Sequence, residues 1–212
     1  MKQQPAPLET LTEIRALMEK SSRFISLRGL SGVFAGTFAL LGMAAVAWRF
    51  DLPYTLEGYQ HLAVNVYGNP DPDFYTFILA DAGLILVASL ASGILLTTRR
   101  ARRSHLPVWD KSARRVLWNM FIPLSAGGIF CLVLLAHGFV ALVAPATLLF
   151  YGLALLNTSK YTLPDIRYLA LSEISLGLVG AFFIGYGLFF WAIGFGLFHI
   201  LYGLRMYQKY ER

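Results

Sequence analysis

Long apolar runs separated by short polar segments make up most of this 212-residue chain. Several runs are about 18 residues or longer with at most one charged residue, which is the pattern of membrane-spanning helices. We therefore predict an all-α, polytopic membrane protein with six transmembrane helices and an N-terminal amphipathic helix. The predicted spans are 26–49, 74–97, 116–136, 139–157 and two helices within 166–207, separated by a break at 185–187.

The segment that precedes the first span has a different periodicity. Leu11, Ile14, Leu17 and Met18 recur at helical spacing, after a capping residue at Thr10. This pattern predicts an amphipathic helix with one apolar face. Such a helix either lies on the membrane and under the bundle, or docks a partner protein.

Basic residues collect on one side of the predicted topology. With both termini and the loops 98–115 and 158–167 in the cytoplasm, that side holds all of the 18 Lys and Arg residues except Arg49. Basic loops stay cytoplasmic in membrane proteins, so this orientation is favoured over its reverse. The chain then divides into a cytoplasmic segment (1–25), a transmembrane domain (26–207) and a cytoplasmic tail (208–212).

Composition agrees with a membrane location. The chain is 57% hydrophobic and only 14% charged, whereas soluble domains carry about 25% charged residues. The net charge of +6 arises from bases that flank apolar runs, so we expect no nucleic-acid partner. The expected partners are the lipid bilayer and, at the basic loop 98–115, anionic lipid.

Motifs for enzymatic chemistry do not occur in the sequence. It has no phosphate loop, nucleophile elbow or HExxH, and Cys131 is its single cysteine. His61, His137 and Asp81 all fall toward the outer side, but nothing in their spacing requires a metal. We therefore predict no enzyme, no catalytic residues, no cofactor and no metal.

An acid and a histidine stand out in the last two spans. Glu173 lies six residues after Arg167, and His199 lies six residues before Arg205. If residues 185–187 form a tight turn, the two helices are antiparallel, and both groups lie about 9 Å inside their basic boundaries. The sequence therefore predicts that Glu173 and His199 have the same depth.

Small residues share faces with these two groups. Spacings of three and four place each set on one side of its helix, where membrane helices approach closely. We predict that the faces of the last two spans meet, and that Glu173 touches His199. The predicted packing glycines are Gly177 and Gly180, Gly196 and Gly203 and, as a GxxxG in the first span, Gly32 and Gly36. The partner of the GxxxG lies in the same chain or in a second copy, as a homo-oligomer.

Ionisable groups inside a membrane are costly and usually have a function. Glu173, His199 and Asp81 are therefore candidates for proton or ion coupling, since a histidine pair can change its protonation near neutral pH. The alternative for the pair is a structural hydrogen bond that fixes the last two helices. The alternatives for Asp81 are a place in the headgroup zone or a hydrogen bond to a neighbouring helix.

The stretches WAIGFGLFHILYG at 191–203 and MYQKYER at 206–212, with EIRALMEKSSR at 13–23, resemble uncharacterised six-span inner-membrane proteins of Bacteroidota-type bacteria. The resemblance implies six spans and a bacterial inner membrane, and it implies no activity.

Together these patterns predict a non-enzymatic membrane protein that moves or senses a small solute or a proton through its helix bundle. The first alternative is a structural or regulatory module that binds a partner through residues 8–24 and the basic loop. The second alternative is a membrane-embedded enzyme, for which the sequence supplies no nucleophile or metal set.

Overall fold

In a computed structural model, residues 29–51, 55–103 and 111–210 of the chain are described. They form helices joined by short turns, and no strand occurs among them apart from an isolated bridge between Val64 and Pro70. The all-α prediction is therefore confirmed. The α-helices are α1 (Gly29–Arg49), α2 (Leu56–Ala63), α3 (Pro72–Arg103), α4 (Lys111–Ala136), α5 (Val143–Thr158), α6 (Ile166–Phe182), α7 (Gly187–Trp191) and α8 (His199–Tyr210).

Three short 3-10 helices and a π-helix connect these elements. The 3-10 helices are Val140–Leu142, Ser159–Tyr161 and Ile184–Tyr186. The π-helix, Ala192–Phe198, joins α7 to α8 without a break. We call the continuous element made of α7, the π-helix and α8 the last helix.

Among the described residues, five helices are long and apolar enough to cross a membrane. The one predicted span that is not among these five corresponds to α6, which has 17 residues. At 1.5 Å per residue it is about 26 Å long, against a hydrocarbon core of about 30 Å. It is short because it begins only after Pro164 and ends where the turn Ile184–Tyr186 follows it. The five candidate spans are Gly29–Arg49, Pro72–Arg99, Ser112–Ala136, Val140–Tyr161 and Ile184–Tyr210.

The described parts of the predicted basic loop, 98–103 and 111–115, are helical, which corrects its boundaries. Helix α3 continues to Arg103 and α4 begins at Lys111, because arginine and alanine favour a helix once a span has nucleated it. Likewise α8 continues to Tyr210, into the predicted tail. The predicted amphipathic helix near residues 10–18 lies outside the described residues.

The order of the helices in space differs from their order in the chain. Helix α1 packs against both α3 and the last helix, and α5 packs against both α4 and α6. The last helix also contacts α5 and α6 through α7 and the π-helix. Helices α3 and α4, which are consecutive in the sequence, therefore have different main partners.

Close backbone contact between α1 and the last helix is made by glycines. A Cβ atom on Gly36 would lie 2.5 Å from the carbonyl oxygen of Gly196, and one on Gly203 would lie 2.5 Å from that of Gly29. A Cβ on Gly32 would lie 3.1 Å from the carbonyl oxygen of His199. The predicted GxxxG thus has its partner within the chain, and a homo-oligomer would have to use another surface.

Most of the small face of α6 packs on α5, although the same face also contacts the last helix. A Cβ on Gly177 would lie 2.9 Å from the carbonyl oxygen of Pro145, so this glycine permits close contact. Around Gly180 the nearest atoms would be 3.4 Å away, on Phe190 and Pro145, which leaves room for a methyl group. Glu173 and His199, one from each predicted face, lie 3.3 Å apart, but the glycines of the two faces pack mainly on different helices, α5 for α6 and α1 for the last helix. The prediction that the two small faces meet is therefore only partly right.

The two ends of the bundle differ in their chemistry. At one end, which we call the outer end, Arg49 forms an ion pair with Asp73, and α2 covers the turns Val140–Leu142 and Ile184–Tyr186. At the other end, which we call the basic end, Lys209 donates to both carboxylate oxygens of Asp165. The termini of α3 at Arg103 and of α4 at Lys111 belong to the basic end.

Candidate functional site

Glu173 lies on the third turn of α6 and is fully buried within the protein, with 0% of its surface exposed. Neither of its carboxylate oxygens has a hydrogen-bond partner among the described residues. An ionised carboxylate in such a place is strongly destabilised unless a positive charge lies near it, and the alternative is that it holds a proton. Whether the Glu173 carboxyl group is ionised or protonated therefore depends on the groups next to it.

The nearest backbone to this carboxylate is that of Gly194 in the π-helix. A Cβ on Gly194 would overlap Oε2 of Glu173 and would lie 2.6 Å from Cδ2 of Leu148. Only glycine lets the last helix approach the acid this closely. Gly194 therefore fixes the distance between α6 and the last helix at the depth of Glu173.

His199 begins α8 and has only 5% of its surface exposed. Its Nδ1 lies 3.0 Å from the carbonyl oxygen of Gly194 and 3.3 Å from Oε1 of Glu173. A carbonyl oxygen can only accept, so Nδ1 carries a hydrogen that it donates to Gly194. The carboxylate lies at ion-pair distance from the ring but does not receive this hydrogen bond.

Tyr151 of α5 forms a hydrogen bond with the other ring nitrogen of His199. Its hydroxyl lies 2.8 Å from Nε2 of His199. In the neutral ring Nε2 accepts the hydrogen bond from Tyr151, and in the doubly protonated ring Nε2 donates to the hydroxyl oxygen. The hydroxyl can play either part, so both charge states of His199 keep a partner at each ring nitrogen.

The π-helix explains why Gly194 and His199 meet. In a π-helix the hydrogen-bonded residues are five apart, so residues 194 and 199 lie one turn from each other on the same side. The backbone N–H of His199 donates instead to the carbonyl oxygen of Gly196. The Gly194 oxygen can thus accept from the imidazole. Such π-helical turns occur often at functional sites.

Aromatic rings enclose the cluster. Phe195 stacks on His199, with ring centroids 5.7 Å apart and an angle of 18° between the planes. Tyr151 and Trp191 both pack against Phe195, at 4.8 and 5.1 Å between centroids. Because these rings exclude water, the interaction between the imidazole and the carboxylate is stronger than it would be at a surface.

Asp81, the third predicted candidate, does not join this cluster. It lies half-buried on α3, and its Oδ2 is 3.0 Å from the position that a Cβ on Gly42 of α1 would take. Its carboxylate therefore faces α1 within the bundle, whereas Glu173 faces the last helix. No hydrogen bond to the side-chain carboxylate of Asp81 occurs in the described part of the chain.

The two outer histidines do not form a site with Asp81. His61 and His137 are both exposed, and Nδ1 of His137 bonds to the carbonyl oxygen of Val133 in its own helix. In the described ranges, no three His, Cys, Asp or Glu side chains are grouped to hold a metal ion.

Sequence reasoning missed two members of the cluster, Tyr151 and Gly194. Tyr151 is one of 11 tyrosines and lies in an apolar run, where an aromatic residue is ordinary. Gly194 does not fit the regular helical spacing of three and four residues, whereas Gly196, two residues later, does. Only the added residue of the π-helix brings position 194 to the same side as His199.

Comparisons of the chain with protein-family models, with curated proteins and with solved structures found no match. The resemblance to six-span proteins of Bacteroidota-type bacteria therefore stays a prediction.

Proposed function

We propose that this chain is a membrane protein that binds and releases a proton at Glu173 and His199, and that this change lets it move or sense a proton or small solute through the helix bundle. The observation that carries the proposal is the environment of the Glu173 carboxyl group. Its carboxyl group is buried and has no hydrogen bond from the part of the chain that the structure describes, and the imidazole is 3.3 Å away. A buried acid that a hydrogen bond does not stabilise is suited to exchange its proton.

The geometry supports a proton transfer between the two groups. Tyr151 gives its hydroxyl proton to Nε2 of His199, and Nδ1 gives its proton to the Glu173 carboxylate. The hydroxyl of Tyr151 regains a proton from its next neighbour, so Glu173 has gained one proton and the hydrogen on the His199 ring has moved from Nδ1 to Nε2. The 2.8 Å and 3.3 Å separations are in the range over which such a chain works, the second after a small movement.

Proton movement in reconstituted vesicles tests this function. The purified protein is placed in liposomes that contain a pH-sensitive dye, and a potassium diffusion potential is applied. We expect the wild type to acidify or alkalinise the lumen according to the sign of the potential, and we expect Glu173→Gln to abolish this flux. The matched control is Glu57→Gln, which makes the same change on the exposed helix α2 and should leave the flux unchanged. Wild-type vesicles no leakier than empty liposomes would refute translocation.

We also propose that α6 crosses the membrane as a sixth span, in a bacterial inner membrane with both termini in the cytoplasm. At 17 residues α6 is at the lower limit for a span, and α5 and the last helix flank it. In the described ranges, every Lys and Arg except Arg49 falls at or near the basic end, which the positive-inside rule assigns to the cytoplasm.

Cysteine labelling tests this orientation. In a protein without Cys131, cysteines placed at 61 and at 160 should react with a membrane-impermeant reagent from opposite sides. We expect 61, on α2 at the outer end, to be labelled in intact cells, and 160 only after the membrane is opened. The reverse pattern would refute the orientation.

Anionic lipid at the basic end is a further part of the proposal. Leu95, Thr98, Arg99 and Arg102 line an open groove at the end of α3. Two guanidinium groups above an apolar residue suit a lipid phosphate with its chain in the bilayer. Arg99→Gln with Arg102→Gln should reduce the number of phosphatidylglycerol molecules that remain bound in native mass spectrometry. Unchanged lipid retention would contradict this assignment.

A purely structural role is the competing function, and one observation favours it. Leu148 and Gly194 close tightly around the carboxylate, so the cluster also serves to hold α5, α6 and the last helix together. In that case Glu173→Gln would change stability, and the vesicles would show no flux in any variant.

A further inference from the structure

A second tyrosine with a buried hydroxyl lies near the cluster on the last helix. Tyr202 is one turn beyond His199 in the direction of the basic end. Tyr202 and Tyr151 both pack against one buried apolar cluster, which is formed by Leu155, Ile166, Leu169 and Ala170. Tyr202 thus follows Tyr151 along the direction that leads to the cytoplasm in the proposed orientation.

The hydroxyl of Tyr202 has an unusual environment. It is shielded from outside, yet it has no hydrogen-bond partner among the described residues. Buried hydroxyl groups in proteins are nearly always bonded to protein or to an ordered water. This hydroxyl therefore marks a place where a water molecule is expected.

Beyond Tyr202 lies a polar group that reaches the surface. The last helix contacts α6 at His199, beside Glu173, and again at Tyr210, which bonds to Asp165. Tyr202 lies between these two positions on the last helix and packs against the cluster that contains Ile166, the residue after Asp165. The carboxylate of Asp165 accepts hydrogen bonds of 3.0 Å from Tyr210 and from Lys209, and the Lys209 side chain is 51% exposed. This group connects the interior near Tyr202 with solvent at the basic end.

Toward the outer end the neighbours of the cluster are mostly apolar. The last helix places Trp191 in contact with Phe195, and Phe190 lies with Pro145 beside Gly180. Apart from the indole N–H of Trp191, these side chains carry no proton donor or acceptor. A proton that reaches Glu173 would thus enter more easily from the basic end.

We propose that Tyr202, with bound water, links the cluster of Tyr151, His199 and Glu173 to Asp165 at the basic end, as a path for protons between the cluster and that end. The proposal rests on the proposed function, for which it supplies the part of the route on the cytoplasmic side. In each step the water receives a proton from the side of Asp165 as it gives one to the Tyr202 hydroxyl, and that hydroxyl passes its own proton on toward Tyr151. Solvent supplies the proton, Glu173 receives it, and every oxygen between them is neutral afterwards.

Hydrogen–deuterium exchange at the His199 ring tests the path directly. Protein with 15N-labelled histidine is transferred to D2O in detergent, and the loss of the ring N–H signal is followed by NMR. The signal is assigned with His199→Gln. Tyr202→Phe removes only the hydroxyl, and we expect it to slow exchange by about tenfold or more. Asp165→Asn, at the entrance, should slow exchange as well.

The control is Tyr207→Phe, the same change at a more exposed position of the same helix, which should leave the exchange rate unaltered. Equal rates in Tyr202→Phe and the wild type would overturn the path, even if the vesicles showed proton flux. Slower exchange in Tyr202→Phe without any wild-type flux would support the path and refute translocation. The two failures are thus distinguished.

Discussion

The N–H at Nδ1 of His199 is directed at the carbonyl oxygen of Gly194, although Oε1 of Glu173 lies only 3.3 Å from the same nitrogen. The acid and the histidine are therefore neighbours that interact through charge, and a backbone oxygen holds the ring in place. A ring fixed by Gly194 and Tyr151 keeps its position whether or not Glu173 is ionised. This separates the orientation of the imidazole from the charge of the pair.

The first prediction concerns the energetic coupling of Glu173 and His199. Glu173→Gln and His199→Gln should each destabilise the protein by about 1–3 kcal/mol, because each leaves a buried polar group poorly paired. The double variant should lose less than the sum of the two. Unfolding of all four proteins in the same detergent gives the coupling free energy. Strict additivity would show that the two side chains do not interact.

The second prediction concerns Gly194. Gly194→Ala places a methyl group against the Glu173 carboxylate and Leu148, and we expect a loss of about 1–3 kcal/mol through overpacking. The matched control is Gly83→Ala on α3, where a Cβ meets nothing within 4 Å. That change should be neutral or slightly stabilising, because alanine favours a helix. Similar losses of thermal stability in both variants would contradict the tight contact at Gly194.

The helices and the depth of the pair could be predicted because they depend on local properties of the sequence. Apolar runs and their basic ends locate the spans, and distances from Arg167 and Arg205 place Glu173 and His199 at one level. The structure brings the two residues together as that reasoning predicted. The predicted cause of the contact was partly wrong, since the glycines of the two small faces pack on α5 and α1. Gly194 is the residue that lets the last helix approach Glu173.

Other features depend on choices that one sequence does not reveal. Several glycine faces of similar quality compete for partners, and the tertiary packing decides which pairs form. The π-helix depends on one residue inserted in a helix, for which the Gly-rich stretch 192–198 gives no distinct pattern. The break predicted at 185–187 lies close to the observed 3-10 helix Ile184–Tyr186, since the glycines there give a local signal.

The third prediction concerns Asp81. Its carboxylate lies in the narrow space against Gly42 of α1, so Asp81→Asn, which keeps the shape, should fold nearly as well as the wild type. Asp81→Leu is larger and branched, and should reduce the folded yield by forcing α3 away from α1. Fluorescence-detected size exclusion of both variants measures this. Equal yields would mean that Asp81 faces water or lipid headgroups.

The last prediction concerns the acid stability conferred by Asp165. Burial alone would raise the pKa of this carboxyl, but hydrogen bonds from Lys209 and Tyr210 outweigh burial and lower the pKa below its usual value. The folded protein therefore binds this proton less readily than the unfolded chain. A group with a lowered pKa stabilises the fold above the unfolded pKa of about 4, and the stabilisation is lost as the pH falls through the folded pKa.

We expect the melting temperature of the wild type in detergent to fall on acidification from about pH 5 to pH 3, with about 1–3 °C of that fall due to Asp165. Asp165→Asn should have a lower melting temperature at pH 7 and a correspondingly smaller fall, since its side chain does not titrate. Tyr210→Phe, which removes one of the hydrogen bonds, should give an intermediate result. Asp51→Asn, at an exposed position after α1, is the control and should keep the wild-type profile. If Asp165→Asn also keeps it, the contact with Lys209 and Tyr210 does not stabilise the basic end.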